Sequence, residues 1–385
     1  MINTHRAYRR LLMGSAAAVV CSFGSAILPS PANAQTAAAP PAASGASGLR
    51  EIVVTAERRT SNLQKTAASV TVERGTDLLQ RGKFRLADIL ETVPNVSGGE
   101  SDGVSNEPTG NDNPASGITI RGLSSNGSLS GQTLAGVPAV ATYVDDVYGG
   151  IGGDYDIDRV EVLRGPQGTL YGRSATAGVV AIHTINPDLT KYETDLSLEG
   201  GSYGLFHATG AVNLPIVKDT LALRVAFNHY QRDGVDITRG AGASNVNEAK
   251  AKLLYKPTDT FSLLIGGALQ DKTLYNGGVT GNLVAPNIFQ YQSFPTGVAT
   301  TKFRQVWAEA NQDIGGVRLT YLPMYRTWEQ NALVFVPGPG GGALQQTVTT
   351  PHDEFITQEL RLSSGPDSII KWQGGLFYYY NNIHT

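Results

Sequence analysis

DIDRVEVLRGPQGTLYGRSATAGVVAIHT, residues 156–184, is the stretch on which the reading of this chain turns. Residues 159–163 (RVEVL) and 179–184 (VVAIHT) are short runs rich in valine and other β-prone residues, and each predicts a strand. Between them Gly165, Pro166, Gly168 and Gly172 predict a chain reversal, with the glycines supplying positive φ. The glycine run could pass for a phosphate cradle. It lacks the Gly-Lys-Ser/Thr ending of a P-loop and is not a G-x-G-x-x-G turn, so neither nucleotide motif is present.

On the N-terminal side, residues 68–72 predict a strand, and residues 75–81 a short helix capped by Thr76. Residues 85–91 predict a helix with Leu86, Ile89 and Leu90 on one face, stopped by Pro94. Further strands are expected at 117–121 and 141–144. Two long loops rich in Gly, Asn and Ser, at 98–116 and 122–136, separate these elements, and such loops often carry binding. Residues 57–188 thus predict an α+β domain.

After Pro187 the pattern changes to period two. Leu221, Leu223, Val225 and Phe227 alternate with Ala222, Arg224, Ala226 and Asn228, and similar alternation recurs around Leu196, Leu319 and Leu360. Segments of about ten residues with this period, separated by turns, are the pattern of a transmembrane β-barrel. A soluble sandwich with one wet face alternates in the same way. Tyr192, Tyr230, Tyr255, Trp328, Trp372 and Tyr378 to Tyr380 stand near segment ends, as an interfacial girdle requires. Residues 189–385 hold eight or nine such segments at roughly ten residues each.

The first residues predict export. Arg6, Arg9 and Arg10 precede an apolar stretch, and Ala32-Asn33-Ala34 offers a cleavage site, so residues 1–34 read as a signal peptide. Its removal takes away Cys21, the one cysteine, leaving no disulfide or thiolate chemistry. Residues 35–50, mostly Ala, Pro, Ser and Gly, read as a flexible leader. Next comes Glu51-Ile52-Val53-Val54-Thr55-Ala56, a β-prone hexapeptide suited either to an edge strand or to strand addition onto a partner. A net charge of −3 gives no reason to expect a nucleic-acid partner. The histidines are scattered, with no pair at i, i+4, and no local Ser/His/Asp motif appears; neither a metal, a cofactor nor an enzyme activity is expected.

In order along the chain, EIVVTAERR, LADILETVPNV, ITIRG, YVDDVY and the 156–184 block resemble the TonB box and plug motifs of TonB-dependent outer-membrane receptors. LALRVAFNHYQRDG and FITQELRLSS resemble early barrel strands of that family. The resemblance implies an α+β plug followed by an antiparallel transmembrane β-barrel of about 22 strands, of which this chain would hold eight or nine and so be a truncated, transport-incompetent form. It implies a monomer in the outer membrane of a Gram-negative bacterium, importing a large scarce solute, a ferric siderophore above all. TonB with ExbB-ExbD would supply energy through residues 51–56, with outer-membrane lipid as the other partner. Arg121 and Arg164 match plug arginines that pair with barrel glutamates, a role suited to the planar guanidinium fork. Asn126, Ser128, Gln132, Tyr148 and Tyr155 are candidate ligand contacts. The competing expectation is a non-transporting exported module that binds a partner through plug and leader.

Overall fold

The computed structural model describes residues 53–54, 58, 61–62, 69–83, 86–98, 118–124, 139–171, 175–234, 242–276, 279–285, 288–293, 297–337, 343–365 and 368–382, and the structural statements below concern these. The expected signal and leader, Glu51, Ile52, Thr55, Ala56, Asn126, Ser128, Gln132 and Gly172 lie outside them. Glu51–Thr385 makes one compact unit.

Its first part runs β1 (Val53–Val54), β2 (Ser61–Asn62), β3 (Ser69–Arg74), α1 (Gly75–Gln80), α2 (Leu86–Leu90), β4 (Val96–Ser97), β5 (Thr119–Ile120) and β6 (Leu123–Ser124). It continues through β7 (Val140–Val144), β8 (Val147–Tyr148), β9 (Ile157–Arg164), α3 (Gly168–Tyr171) and β10 (Gly178–Thr184). A five-stranded sheet has the order β3-β9-β10-β7-β8. Only the β10–β7 pairing in it is parallel.

Successive side chains on a strand point to opposite faces, so an unbroken apolar strand feeds two cores at once. β10 does this: Val180 and Ile182 join Val160, Val162 and the helix residues Leu78, Leu86, Ile89 and Leu90. Val179 and Ala181 face the other way, among Tyr143, Tyr148, Leu163 and Tyr171. That second cluster also contains Phe303, Trp307, Leu322, Met324, Trp328 and Phe355 from the long strands further along. One face of the sheet therefore packs on its own helices and the other on a wall of strands.

Two local expectations change. The strand expected at 117–121 shortens to Thr119–Ile120, because Arg121 and Gly122, with φ of 53° and 80°, form a two-residue turn that pairs Ile120 with Leu123. Gly165 does adopt positive φ (101°), but Gly168 does not; it opens α3. The segment between the two strands of the 156–184 block is thus part turn, part helix.

The wall is a nine-stranded antiparallel sheet: β11 (Glu193–Gly201), β12 (Leu205–Val217), β13 (Leu221–Arg232), β14 (Ser244–Thr258), β15 (Phe261–Asn276), β18 (Gly297–Ile314), β19 (Val317–Pro337), β20 (Ala343–Ser364) and β21 (Gln373–Asn382). A separate hairpin, β16 (Val279–Ala285) with β17 (Ile288–Ser293), lies between β15 and β18 in the chain. β11 and β21 stand at opposite ends of the sheet and are not paired with each other. Strands reach 22 residues, twice the expected length. The excess stands clear of the apolar band: on β19 the face carrying Tyr321 and Tyr325 becomes Thr327, Glu329 and Asn331 further on.

Which side of the wall is polar separates a membrane barrel from a soluble sandwich. On β13, Arg224 and Asn228 are buried while Val225 and Phe227 are exposed. On β14, Glu248, Lys250 and Lys252 are buried. The opposite face shows Ile265, Leu269, Val306, Leu360 and Leu376 to the surroundings, Val306 at 57% exposure. An apolar outer face over an inner one that is polar on β13 and β14 and apolar only where the plug packs is the membrane-barrel arrangement and the reverse of a soluble core. Tyr192, Tyr255, Trp372 and Tyr378 are exposed as a girdle requires, but Trp328 is not part of it. Trp328 points inward and stacks on Phe303 at 6.0 Å between ring centroids. No helix among the described residues is long and apolar enough to cross a membrane.

Candidate functional site: a charged seam between plug and wall

The seam begins with YVDDVY. Asp145 and Asp146 both have left-handed backbones, φ 50° and 64°, which makes them the two central residues of the β7–β8 hairpin turn. Aspartate tolerates that conformation better than most residues. The turn thereby places two carboxylates side by side against the wall.

Asp145 is buried and meets Lys252 Nζ at 2.7 Å. It also accepts the Thr184 backbone N–H and hydroxyl, each at 2.8 Å. Burial pushes the Asp145 carboxyl up, but Lys252 and Lys250 outweigh burial and hold it below the usual carboxylate range. Asp146 behaves alike: burial raises it, Arg58, His183 and Arg361 lower it, and the net shift is down. Asp156, φ 55°, receives both Nε and Nη2 of Arg224 at 3.0 and 2.6 Å, a bidentate clasp.

Between these carboxylates the loop 149–155 lies on the wall through its main chain. Arg326 donates to the Gly149 carbonyl, the Ile151 N–H donates to Gln305, and Lys250 donates to the carbonyls of Gly152 and Tyr155. Gly152 lies against Ala268 and the Lys250 side chain, and its φ of 78°, rather than lack of room for a Cβ, is what favours glycine there. Tyr155 fills a slot between Ala211 and Ala226, with Lys250 Nζ 4.6 Å from its ring centroid.

The third anchor is Arg58. Its guanidinium lies 4.5 Å from the ring centroids of both Tyr143 and Tyr171. Its Nη1 reaches Glu359 of β20 at 3.3 Å and Asp146 at 3.7 Å, and its carbonyl accepts from Arg361 at 3.3 Å. Burial opposes the charge, yet Glu359 and the tyrosines hold Arg58 cationic above its ordinary value. Burial pushes the Tyr143 hydroxyl up to about 12, so it stays protonated and donates to the Tyr171 carbonyl.

The residues singled out from sequence fall elsewhere. Arg121 is exposed at its turn and makes no ion pair with a described residue. Arg164 donates to the Pro94 carbonyl and the Thr71 hydroxyl, at 3.2 and 2.9 Å, both within the first domain. Tyr148 and Tyr155, the two candidate ligand contacts among the described residues, are buried at 2% and 3% exposure. Tyr148 is held between Tyr143 and Phe355, and Tyr155 by the alanine slot. Val53 and Val54 form β1 and pair with Asn62 and Ser61. No group of three or more potential metal ligands occurs among the described residues.

An α+β domain pinned by charge to the polar face of an outward-apolar strand wall is the arrangement of a plugged outer-membrane barrel. Residues 62–179 match the family model of the TonB-dependent Receptor Plug Domain. The chain is 30% identical over 240 residues to the pesticin receptor of Yersinia pestis, covering 60% of this chain and 32% of that one. It is 28% identical over 236 residues to the iron-regulated outer membrane virulence protein of Vibrio cholerae, covering 57% and 34%. The crystal structure of the ferric yersiniabactin uptake receptor FyuA from Yersinia pestis superposes with a TM-score of 0.64 at 20% identity, over 81% of this chain and 48% of that one, a likeness of fold. The chain thus carries a plug domain of the TonB-dependent receptor type, and it spans about a third of the length of the curated relatives it matches.

Proposed function

We propose that this chain serves TonB-dependent import of a large scarce solute across the outer membrane, with a ferric siderophore as the cargo. The observation that carries the reading is the charged seam. A barrel wall lined by Arg224, Lys250, Lys252 and Arg326 would by itself border water, and the plug covers it. Passage then requires the plug to shift, and breaking a buried ion pair is costly, so an energy source must act on the plug. Residues 51–56, ahead of the plug and β-prone, suit strand addition by TonB, which uses main-chain groups rather than particular side chains. The choice of iron follows the resemblance and the iron-regulated relative; cobalamin, nickel complexes and carbohydrates are the family's other cargoes.

The test is growth, on one ferric siderophore as sole iron source and with and without TonB, of a host whose own receptor carries this chain in place of its plug and first barrel strands, so that the sheet closes. TonB-dependent growth is the expected result. Binding of TonB and solute without growth on any iron source would leave the non-transporting module as the function.

A further inference from the structure

We propose that a groove in the outward face of the wall seats one zwitterionic phospholipid, with an acyl chain along Ala251 and Gly267 and the phosphate at Arg304. The site requires that face to meet lipid, but it is independent of any cargo. The groove, of about 500 Å³, opens on the apolar side of β13, β14, β15, β18 and β19. The register of the strands produces it. In one row across them, Val225 faces Ala251, Ala251 faces Gly267, Gly267 faces Val306 and Val306 faces Tyr325. Large side chains stand at the two ends of the row and small ones in the middle, and Ala249 continues the floor along β14.

Glycine weakens a strand, and inside one it often marks a place where something else approaches closely. The fold itself makes no demand for it at Gly267. Its φ is not positive, and an added Cβ would meet only the Gln305 carbonyl, at 3.9 Å. The floor is therefore low because space is left open above it, not because neighbours crowd it.

Hydrocarbon supplies no hydrophobic drive toward such a groove, so its occupant is selected by packing and by the charge at its mouth. That charge is Arg304, one row further on between Leu269 and Thr327. It stands at the edge of the apolar band, where Asp271, Lys302 and Glu329 make up the next row. Its ion pair with Asp271, at 2.7 Å, and its bonds to the carbonyls of Phe303 and Gln270 all use Nη1. Nε and Nη2 have no partner among the described residues, and this side of the guanidinium fork fits a phosphate. Glu354 lies in the same row beyond Thr327 and accepts the hydroxyl of Tyr325, which lines the groove. Two strand spacings set Arg304 and Glu354 roughly 10 Å apart, a gap that two long side chains and a phosphoethanolamine group together span. The edge is of mixed sign, with Lys302 and Arg304 against Asp271, Glu329 and Glu354, so it suits a zwitterionic head over one bearing several phosphates. A peptide is the poorer occupant. β14, β15 and β18 are interior strands paired on both sides, which leaves no main-chain groups for strand addition.

Native mass spectrometry of the full chain in neutral detergent tests this, with phosphatidylethanolamine as the probe and diacylglycerol of the same chains as the headless control. The parent should hold one phosphatidylethanolamine about tenfold tighter than diacylglycerol. Gly267→Leu fills the groove and should weaken both lipids about tenfold while keeping the parent's circular dichroism, since the new Cβ has room. Ala251→Leu fills the same floor from the next strand and should act alike. Arg304→Gln should bring phosphatidylethanolamine down to the diacylglycerol level and leave diacylglycerol unchanged. Leu362→Ala, on the same outward face but outside the groove, should bind as the parent does. Parent-like binding of phosphatidylethanolamine by both Gly267→Leu and Ala251→Leu overturns the proposal, as does an Arg304→Gln variant that still separates the two lipids. Tighter binding of phosphatidylglycerol or of lipopolysaccharide also overturns it, and a lipid-free dimer would assign the groove to a second copy. TonB-dependent growth stands apart from all of these outcomes, so the import reading and the lipid site fail separately.

Discussion

At the scale of single residues, the seam inverts the usual economy of a core. Lys252 and Asp145 are each almost wholly shielded, so their attraction is set against a large desolvation cost, and such a pair is worth less than it looks. Removing one partner is a different matter, because the other is left buried and charged. Lys252→Met should therefore lower stability by about 3–5 kcal/mol. Adding Asp145→Asn should recover at least half of that loss, since asparagine tolerates the left-handed turn and carries no charge. Chemical unfolding of the single and double variants decides it; additive losses would mean the two residues do not act as a pair. The pH dependence follows from the same groups. Asp145 and Asp146 are both held below the ordinary carboxylate value. Their contribution is thus fully present above the unfolded value of about 3.9 and is lost as pH falls through the lower folded values. Unfolding midpoints should stay level from neutrality to roughly pH 5 and drop below about pH 4. The drop should be shallower in the Asp145→Asn, Asp146→Asn double variant; an identical acid slope would assign it to other carboxylates.

At the scale of elements, β1 is the segment on which the import reading places the greatest demand. Strand addition needs main-chain donors in register, and proline removes one while fixing φ. Ile52→Pro or Val54→Pro should abolish binding of the purified C-terminal domain of TonB, and wild-type affinity after either change would count against strand addition. The strands themselves were legible in the sequence because period two is a local signal: the alternation at 221–228 reappears as buried Arg224 and Asn228 beside exposed Val225 and Phe227. The period also set Arg224 on the face opposite Leu223 and Val225, but it is silent on which face is inside, and Lys250 and Lys252 were not singled out by it. The seam was not legible, because its pairs lie far apart in sequence. Asp156 and Arg224 are 68 residues apart, and Arg58 and Glu359 are 301 apart. Arg58 read only as charge flanking a β-prone hexapeptide, whereas Arg121 and Arg164 drew notice through the motifs around them. The signal that could have found the seam is YVDDVY. Two adjacent aspartates between β-branched runs suit a turn with both residues at positive φ, and such a turn projects both carboxylates from one edge.

At the scale of the whole molecule, the plug and the wall each leave something uncovered without the other. The wall's inner cations lose their carboxylates, and its outer face carries rows of Leu, Val and Phe that water does not cover. Residues 192–385 alone should aggregate without detergent, and size-exclusion chromatography reads the outcome directly. A sharper test leaves the chain whole and changes one outward residue. Val306 is 57% exposed near the middle of β18, flanked across the sheet by Gly267 and Tyr325, with apolar neighbours above and below in Leu269 and Ile265. On a water-facing sandwich, Val306→Arg replaces an exposed apolar group by a soluble one, and such surface changes fall within roughly 0.5 kcal/mol of neutral. On a lipid-facing wall the same change carries a guanidinium into hydrocarbon and costs about 2–4 kcal/mol near the midplane. Asn331→Arg, further along the neighbouring strand where the outward face is polar, should cost about 0–1 kcal/mol by the same depth dependence. Unfolding of both variants reconstituted in bilayers gives the comparison. A large loss for Val306→Arg with a small one for Asn331→Arg places the apolar band in lipid. Equal small losses for both would return the alternating strands to water and remove the membrane from the account of this chain.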